Sequence, residues 1–518
     1  MLTLALAAPA LATPLIPREL ASLENHAHAL VQLDRGDTRD AEASLQAAGA
    51  VRVSSRLRLW RVPSGAAQRL VPRLAVGGVL DDFEPDFPRW SHNHGRANDP
   101  FLPQQWWLSR VGADRVDAPG PGKPVTVIDT GLDLSHPEFA GRPNTFALNP
   151  QALVGRRDFH GTAVSSVVGA PANGVGVVGV YPDGILRHWD GSPGGLLTAS
   201  DVIAGIEAAA RLGPGVISLS LGGSFRSRSE SAAVLDAVQR GVVVVASVGN
   251  ERELSSPLSF PANLPHVITV GSTDAFDQVS VFSSASPALD ITAPGESIPV
   301  AVPVTVAPSG YGIVAGTSFS GPIVAGAIAW IWTVRPQLDH TQIFELMRRS
   351  SRDLGAPGRD PDTGFGILDI PAALTRPAPL PDPLEPNDGI EQVQANGLFP
   401  LAKSALTTPG RGRAALAARL DVNDDPRDVY RVWVPAGKRV TATARTSQEV
   451  ELRQQGTKPA KVAVQLSSPG AGTRVVTITN RTARGLFVYL SAFVQLNARF
   501  LDAEYTLNLV TTAAPAPR

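Results

Sequence analysis

The 518-residue sequence contains no cysteine and carries almost no net charge, with 46 Lys and Arg residues against 47 Asp and Glu residues. Without cysteine, disulfide bonds, thiol catalysis and thiolate metal sites are excluded, so any metal ion must use oxygen or histidine ligands. A net charge of −1 gives no indication of a nucleic acid or an anionic membrane as partner. No uncharged apolar stretch approaches the roughly 20 residues that span a bilayer, so we expect no transmembrane anchor.

Basic residues are also absent from the N-terminus before Arg18. Residues 1–13 form a short apolar run that ends in Ala10-Leu11-Ala12, the small-x-small pattern of a signal-peptidase site. We therefore predict a signal peptide over residues 1–19 and secretion. Because the positive n-region is missing, a frayed apolar N-terminus is the alternative.

The stretch from Gly316 to Pro322, which contains Ser318, is followed directly by the apolar run Ile323–Ile331. A turn of small residues followed by such a run predicts a buried helix with Ser318 at its N-terminus. There the free backbone N–H groups and the helix dipole favour an adjacent negative charge. Ser318 is thus well placed to be an acyl-transfer nucleophile, although a simple helix cap is the alternative.

Between residues 96 and 374 strand runs alternate with helical runs, which predicts a mostly parallel α/β sheet with helices on both faces. Buried strands are predicted at Val125–Ile128, Val216–Ser220 and Val242–Ala246. Polar or glycine-rich turns containing Asp129, Gly222 and Asn250 follow these strands. His160 opens a predicted helix that continues to Val168. Because ligand chemistry in such sheets lies beyond the carboxyl ends of the strands, we expect these residues to converge.

Five motifs occur in a fixed order along this segment: Asp129-Thr130-Gly131, His160-Gly161-Thr162, Ser220-Leu221-Gly222, Gly249-Asn250 and Gly316-Thr317-Ser318. Together they resemble the signature set of the subtilisin-like serine peptidases, the subtilases, whose triad has the chain order Asp, His, Ser. The resemblance covers a little over half of the chain. It implies an α/β three-layer sandwich, preceded here by a small α+β unit and followed by a β-sandwich.

The chemistry of acyl transfer gives each residue a role. Ser318 is a weak nucleophile unless His160 acts as general base, and the imidazole needs a buried carboxylate, Asp129, to fix its tautomer. Negative charge then grows on the carbonyl oxygen of the tetrahedral intermediate. The Ser318 backbone N–H and the Asn250 side-chain amide are the donors suited to that oxygen. This chemistry requires no cofactor.

The resemblance also implies how a protein or peptide substrate binds. The segment Ser220-Leu221-Gly222 would pair with the extended substrate as an edge strand. This mode of binding recognises the main chain of the substrate through hydrogen bonds. Ser247, Val248 and Gly249, together with Ser259, would line the first side-chain pocket. Nothing charged stands at those positions, so a neutral or apolar P1 side chain is favoured over a basic one.

Several residues depart from the usual subtilase pattern. Phe159 stands where glycine commonly precedes the histidine, and Ala163 stands where a second histidine is common. Ser320, Gly321 and Ile323 replace the more usual residues around the proline after the nucleophile. None of these changes removes a proton-transfer group, so they bear on local packing and substrate preference.

A structural Ca²⁺ ion is implied by the resemblance alone. The positions that match a family site are Asp99, Glu138 and Asn173, with the backbone carbonyls of Val175 and Val177. Hard oxygen ligands of this kind suit Ca²⁺. Solvated surface carboxylates are the alternative.

Residues 20–95 read as a small unit with the order β-α-β-β-α-β or close to it, with strands near Ala29–Leu33 and Leu57–Val62. The segment 89–100 that follows has no apolar period and should be accessible. The unit could be an independent binding module or an inhibitory pro-segment. Its position before the catalytic segment, and its resemblance to subtilase pro-segments, favour an intramolecular inhibitor that the enzyme removes.

Residues 375–384 form a stiff proline linker, after which residues 385–518 alternate like the strands of a β-sandwich. Strands are predicted at Val429–Val434, Val440–Ala444, Val462–Leu466, Val475–Ile478, Leu486–Leu490 and Tyr505–Leu509. Glu385-Pro386-Asn387-Asp388, with Asp425–Val432 and Tyr505-Thr506-Leu507, resembles the bacterial pre-peptidase C-terminal domain. This segment could bind a surface or a substrate, be removed after export, or only stabilise the protein.

Two functions remain open from the sequence. The first is a secreted serine endopeptidase made as a self-processing zymogen. The second is a catalytically idle subtilase-like scaffold whose C-terminal sandwich binds a surface or protein partner. An idle scaffold usually lacks a triad member or the amide donor. Asp129, His160, Asn250 and Ser318 are all present, which favours the enzyme.

Overall fold

The computed structural model describes residues 28–85, 98–153, 159–457, 461–494 and 502–514. It divides into two compact units. The first holds the described residues up to 85 together with residues 335–337, and the second holds the remainder. The predicted signal peptide and most of the predicted accessible segment 89–100 lie outside the described residues.

The first unit shows the predicted order of elements. These are β1 (His28–Leu33), α1 (Arg39–Ala47), β2 (Val51–Ser54), β3 (Leu59–Pro63), α2 (Ser64–Val76) and β4 (Leu80–Pro85). The four strands form an antiparallel sheet in the order β2-β3-β1-β4. Alternate residues of β1 are buried, so one face of the sheet forms a core around Trp60. Strand β2 was not predicted from its own residues, because Val51 and Val53 on this edge strand are exposed.

A seven-stranded sheet organises the second unit. Its strands are β5 (Val125–Asp129), β6 (Thr145–Ala147), β7 (Leu186–Asp190), β8 (Val216–Leu219), β9 (Val243–Ser247), β10 (Val267–Thr273) and β11 (Ile291–Pro294). All neighbours pair in parallel, in the spatial order β11-β10-β9-β8-β5-β7-β6. A separate two-stranded ribbon is formed by β12 (Ile298–Ala301) and β13 (Tyr311–Val314).

Helices cover both faces of the parallel sheet. They are α3 (Trp106–Arg110), α4 (His160–Gly169), α5 (Ala199–Arg211), α6 (Arg228–Gln239), α7 (Thr317–Val334), α8 (His340–Ser350) and α9 (Ile370–Thr375). Residues of α4 and α7 share one apolar core with Val127, whereas α5 and α6 share another with Ile128. Because successive residues of β5 point to opposite faces, one strand serves both cores. The predicted α/β three-layer fold is confirmed.

Helix α7 passes through the interior of this core. It has 18 residues, and 15 of them are buried, from Thr317 to Trp332. The expectation that no apolar stretch approaches membrane-spanning length was wrong here, because α7 is long and apolar enough by composition. Since 83% of this helix is buried inside the protein, its apolar surface is already covered by the sheet and by α4.

The C-terminal part follows the short helix α10 (Ile390–Val393) and contains two antiparallel sheets. Its strands are β14 (Arg413–Asp421), β15 (Arg427–Val434), β16 (Lys438–Thr446), β17 (Val450–Gln455), β18 (Val462–Gly470), β19 (Thr473–Asn480), β20 (Leu486–Val494) and β21 (Asp502–Ala513). The sheets have the orders β14-β21-β16-β19-β18 and β15-β20-β17. Their inward residues form one common core. The predicted β-sandwich is confirmed.

Buried ion pairs connect this sandwich to the α/β core. Arg348 of α8 lies 2.6 Å from Asp290, at the start of β11, and it also pairs with Asp424 of the β14–β15 turn. Arg359 reaches Asp421, the last residue of β14, at 3.4 Å. All of these side chains are at most 8% exposed. Each guanidinium therefore depends on carboxylates from both parts of the chain for its neutralisation.

We predict that Arg348→Met lowers the free energy of unfolding by about 3–5 kcal/mol, because it removes one of the two guanidinium groups that neutralise these buried carboxylates and leaves them to Arg359. Arg240→Met is the matched control, since Arg240 forms a largely exposed i,i+4 pair with Asp236 and should change stability by about 0.5 kcal/mol or less. Thermal and denaturant unfolding measure both variants. Equal effects would show that the buried pairs contribute no more than surface pairs.

Candidate active site

The residues predicted to act together lie at one edge of the parallel sheet. Asp129 is the last residue of β5, and Ser247 is the last residue of β9. Strand β8 lies between them and leads directly into Ser220. Ser318 is the second residue of α7. This edge carries the carboxyl ends of the strands, as expected for ligand chemistry in an open α/β sheet.

Asp129 and His160 form a direct contact, with Nδ1 of the imidazole 2.7 Å from Oδ1 of the carboxylate. Asp129 is 1% exposed, whereas the His160 side chain is 27% exposed. The backbone N–H of Thr130 also donates to Asp129 Oδ1, at 2.7 Å. The buried carboxylate engages Nδ1 of the imidazole. This leaves Nε2 as the nitrogen that is able to take a proton from a hydroxyl.

The electrostatics of this pair favour the imidazolium. Burial lowers the pKa of His160, but the charge of Asp129 and its hydrogen bond raise that pKa by more, so it lies above its ordinary value. Because its pKa is raised, His160 can retain the proton that it removes from a nucleophile. The arrangement suits general-base catalysis near neutral or mildly alkaline pH.

Helix α4 approaches the β5 turn so closely that only glycine fits at position 161. A side-chain carbon at Gly161 would lie 1.9 Å from Thr130 O. The Gly161 N–H instead donates to Thr130 Oγ1 at 2.8 Å. This close approach fixes His160, the first residue of α4, against Asp129.

Sequence reasoning missed His188, which supports the same turn from inside the protein. It is fully buried, and its Nε2 donates to Thr130 O at 2.7 Å while its Nδ1 lies 3.0 Å from Ser165 Oγ. Burial lowers the pKa of His188. The only sequence signal was a histidine in the short mixed strand Leu186–Asp190, which does not distinguish such support from ordinary packing.

Ser318 is held by its backbone rather than by its side chain. Pro322 has no N–H to donate to the carbonyl four residues earlier, which is that of Ser318. The hydroxyl of Ser220 donates to Ser318 O at 2.8 Å instead. Among the described residues, no hydrogen bond joins Ser318 Oγ to His160. Such bonds are often long before a substrate is bound.

Asn250 lies beside the first turn of α7 with its amide orientation fixed. Its Oδ1 accepts hydrogen bonds from the backbone N–H and the hydroxyl of Thr317, both at 2.9 Å. With Oδ1 engaged, the Nδ2 end of the amide is left to donate. It faces Gly316, where an added side-chain carbon would lie 3.5 Å from Nδ2.

The departures from the family pattern are accommodated by packing. The rings of Phe159 and Phe319 lie 6.4 and 5.8 Å from the His160 ring, centroid to centroid. Ala163 and Ile323 are fully buried in the apolar core. The His160 ring is therefore flanked by aromatic side chains in place of further polar groups.

The segment predicted to pair with substrate continues from β8 without joining a strand ladder of its own. Ser220 is buried and Gly222 is exposed. Ser259 lies close to Gly222, because a side-chain carbon added at Gly222 would lie 2.2 Å from Ser259 Oγ. Ser247 uses its hydroxyl to donate to Thr317 O at 2.7 Å. Val248 is 1% exposed, so it faces the core, and Gly249 forms the accessible edge.

A charged residue that sequence reasoning left out lies at this edge. Glu251 Oε2 accepts the backbone N–H of Asn250 at 2.8 Å, and a side chain at Gly249 would lie 2.5 Å from that oxygen. The neighbourhood of the predicted pocket is therefore not free of charge. The predicted preference for a neutral P1 side chain stays a prediction.

The residues predicted to hold Ca²⁺ come together but bind one another. Asp99 Oδ1 accepts the backbone N–H groups of residues 173, 174 and 175 at 3.1–3.3 Å. Glu138 Oε1 accepts the N–H of Val177 at 2.8 Å, and Asn173 Oδ1 accepts that of Val175 at 2.9 Å. Asp99 Oδ2 and Glu138 Oε2 are buried without a partner among the described residues. The fit to a cation is therefore partial, because several predicted ligand oxygens are already engaged by N–H donors.

Known proteins share sequence with the central part of this chain. Residues 120–366 match the model of the subtilase family. The chain is 34% identical over 255 residues to a subtilisin of Bacillus pumilus, which covers 48% of this chain and 90% of that protein. It is 32% identical over 274 residues to subtilisin Savinase of Lederbergia lenta, which covers 52% and 97%, respectively.

Among solved structures, fervidolysin from Fervidobacterium pennivorans, described as a keratinolytic enzyme related to subtilisin, aligns with a TM-score of 0.48 at 20% identity, covering 90% of this chain and 69% of that one. The family match and the identity to nearly complete subtilisins assign the central part of the sequence. The chain belongs to the subtilase family and is a subtilisin-like serine endopeptidase.

Proposed function

We propose that the protein is a secreted serine endopeptidase in which Asp129, His160 and Ser318 form the catalytic triad. The observation that carries the proposal is the 2.7 Å contact between the buried Asp129 carboxylate and His160, at the same sheet edge as the start of α7. His160 removes the proton of Ser318 as the hydroxyl attacks the peptide carbonyl. It then returns that proton to the leaving amine.

The Asn250 amide and the Ser318 backbone N–H stabilise the oxyanion of the tetrahedral intermediate. Support comes from the two hydrogen bonds from Thr317 that hold Asn250 Oδ1 and direct Nδ2 outward. A donor that is already oriented needs no reorganisation when charge develops. An extended substrate lies along Ser220, Leu221 and Gly222, with its P1 side chain near Ser247, Val248 and Gly249.

Labelling with a serine-directed fluorophosphonate tests the enzyme against the idle scaffold. Mass spectrometry should find the adduct on Ser318 of the processed protein and none on the Ser318→Ala variant. Absence of any adduct on processed, folded protein would favour the scaffold whose C-terminal sandwich binds a partner.

Residues 1–19 act as an export signal, residues 20–95 as an inhibitory pro-domain, and residues 96–374 as the catalytic domain. Residues 375–384 are the linker to the C-terminal domain at 385–518. The order of elements in the first unit, a four-stranded antiparallel sheet with two helices, supports the pro-domain assignment.

Structural Ca²⁺ at Asp99 and Glu138 is a further part of the proposal. The unpaired oxygens Asp99 Oδ2 and Glu138 Oε2 are the groups that would hold it, and the carbonyls of Val175 and Val177 could complete the shell. The ion would stabilise the native state and take no part in the chemistry.

We predict that Asn250→Leu lowers kcat much more than it raises KM, because the amide contacts charge that exists mainly in the transition state. The expected loss in kcat is about 10²–10³-fold, the range found when a subtilisin loses its oxyanion amide. Steady-state kinetics on a chromogenic peptide measure it. Asn144→Leu, near the amino end of β6, is the matched control. An unchanged kcat with a raised KM would remove Asn250 from the oxyanion hole.

The pH dependence follows from the pKa of His160. Protonated imidazole cannot accept the Ser318 proton, so kcat/KM should be low at acid pH and should rise to a plateau through a midpoint above about 6.5. Asp129→Asn should lower the plateau by about 10⁴-fold and move the midpoint to lower pH, because the charge that raises the pKa is gone. An unmoved midpoint would contradict the coupling of Asp129 to His160.

Processing gives a test of the pro-domain. Ser318→Ala should accumulate as the full-length species after export, whereas the active protein should yield a chain that begins between about Asp86 and Pro100. N-terminal sequencing of both purified proteins distinguishes them. Identical cleavage of the Ser318→Ala variant would show that another protease processes the precursor.

A further inference from the structure

A groove lies between α6 and α10, beyond the segment that is proposed to receive the substrate. It has a volume of about 620 Å³. Arg226, Arg228 and Leu235 line it from the side of α6, and Glu391 and Leu398 line it from the side of α10. Because α10 belongs to the C-terminal part of the chain, the α/β core alone does not form this groove.

Two arginines give the groove a positive charge that is not neutralised. Arg226 and Arg228 are both exposed, and neither side chain forms an ion pair or a hydrogen bond with another described residue. Of the described residues in the wall, Glu391 alone is acidic. Its carboxylate folds back over the start of α10, since a side-chain carbon added at Gly389 would lie 2.2 Å from Glu391 Oε1. Both guanidinium groups are therefore free to pair with an anion from outside the chain.

The arginines do not stabilise the helix beside which they lie. Arg228 is the first residue of α6, and positive charge is unfavourable at the amino end of a helix. The cap is supplied by Ser227, whose hydroxyl accepts the backbone N–H of Glu230 at 3.2 Å. Arg226 and Arg228 thus add to the positive potential at this end of the groove, and such a potential attracts anionic groups.

The segment before the arginines connects them to the catalytic serine. The Ser220 hydroxyl donates to Ser318 O, so the segment begins beside the nucleophile. Further along, Gly223 exchanges two backbone hydrogen bonds with Phe260, at 3.0 and 2.8 Å. Adjacent residues of an extended chain direct their backbone groups to opposite sides. The backbone of Gly222 therefore points away from Phe260, has no partner among the described residues, and is left for the substrate.

The reach of a bound substrate follows from this geometry. Arg226 comes six residues after Ser220, and an extended chain rises about 3.3 Å per residue, so six or seven substrate residues span the distance. Ser259, which belongs to the proposed pocket for the P1 side chain, lies against Gly222. The P1 residue is the last one before the scissile bond. Arg226 and Arg228 are thus within reach of residues about five to seven positions before that bond.

We propose that Arg226 and Arg228 form an exosite, a second substrate-binding surface, that selects protein substrates with acidic side chains about five to seven residues before the scissile bond. The inference rests on the proposed endopeptidase function and names its substrate class. Guanidinium groups bind carboxylates through paired, charge-assisted hydrogen bonds. Leu235 and Leu398 in the groove, and Phe225 with 91% of its surface exposed, offer apolar contacts to the same stretch of substrate.

Peptide hydrolysis by the processed protein tests the proposal. Two internally quenched peptides share the sequence from the fourth residue before the scissile bond onward. They differ only at the fifth, sixth and seventh residues before it, which are Glu in one peptide and Gln in the other. At low ionic strength, kcat/KM should be about three- to tenfold higher for the Glu peptide, since exposed ion pairs contribute modestly. Equal values for the two peptides would overturn the proposal.

Charge variants assign the preference to the two arginines. Arg226→Gln/Arg228→Gln should bring the Glu/Gln ratio of kcat/KM close to one, and Arg226→Glu/Arg228→Glu should favour a peptide with Lys at the same positions. Arg413→Gln/Arg484→Gln is the matched control, because it removes the same charge from exposed positions of the C-terminal sandwich and should preserve the ratio. A Glu/Gln ratio that persists in Arg226→Gln/Arg228→Gln would overturn the proposal.

Salt dependence decides the matter even if the variants do not fold. Raising NaCl from about 0.05 to about 0.5 M should bring the Glu/Gln ratio of the unsubstituted protein close to one, because salt screens exposed charges. Cleavage of both peptides at equal rates at low salt, abolished by labelling of Ser318, would overturn the exosite and leave the proposed function intact. Failure of the processed protein to cleave either peptide, or any shorter chromogenic peptide, would overturn both.

Discussion

The first turn of α7 is held by donors from the ends of neighbouring strands, and the candidate site depends on this constraint. Pro322 removes the helical donor for Ser318 O, and Ser220 supplies it from the end of β8. Ser247 donates to Thr317 O from the end of β9, and Asn250 receives the Thr317 N–H. The parallel sheet therefore sets the position of Ser318 through hydrogen bonds to the backbone of Thr317 and Ser318. The Ser318 side chain takes no part in these bonds.

Desolvation acts on the carboxylates of this molecule in different ways. Asp129 is buried against an imidazole, so its charge stabilises a proton on His160. Asp290 is equally buried but faces Arg348, so the guanidinium offsets its charge and the pair contributes to structure. Asp382 and Asp428 are buried beside other carboxylates. The charged partner, and not the degree of burial, determines whether a buried acid serves chemistry or packing.

Sequence reasoning reached the α/β fold, because strand periodicity and glycine-rich turns are local signals. It also predicted that Asp129, His160, Asn250 and Ser318 act together; the structure brings Asp129 against His160 and Asn250 against Thr317, and the joint role stays a prediction. It missed strand β14, whose Ala- and Arg-rich sequence lacks a β pattern, and strand β17, which is short and polar. It also missed His188 and Glu251. Their roles depend on contacts with Thr130 O and Asn250 N–H that only tertiary packing creates. The buried carboxylates of Asp382, Glu385 and Asp428 likewise lie close together, although no local pattern connects residues 382 and 385 with residue 428.

The sequence predicts that the proline-rich segment 375–384 is a linker between two domains. In the folded chain, however, Asp382 accepts the backbone N–H of Arg419. The end of β14 and the turn after it supply Asp421 and Asp424 to Arg348 and Arg359. A fragment that ends at this segment would expose the guanidinium groups of Arg348 and Arg359 to water. The side of α8 that carries Arg348 would be exposed as well. The smallest recombinant form that preserves the native surroundings of Arg348 therefore extends through β21, and expression work should begin from that boundary.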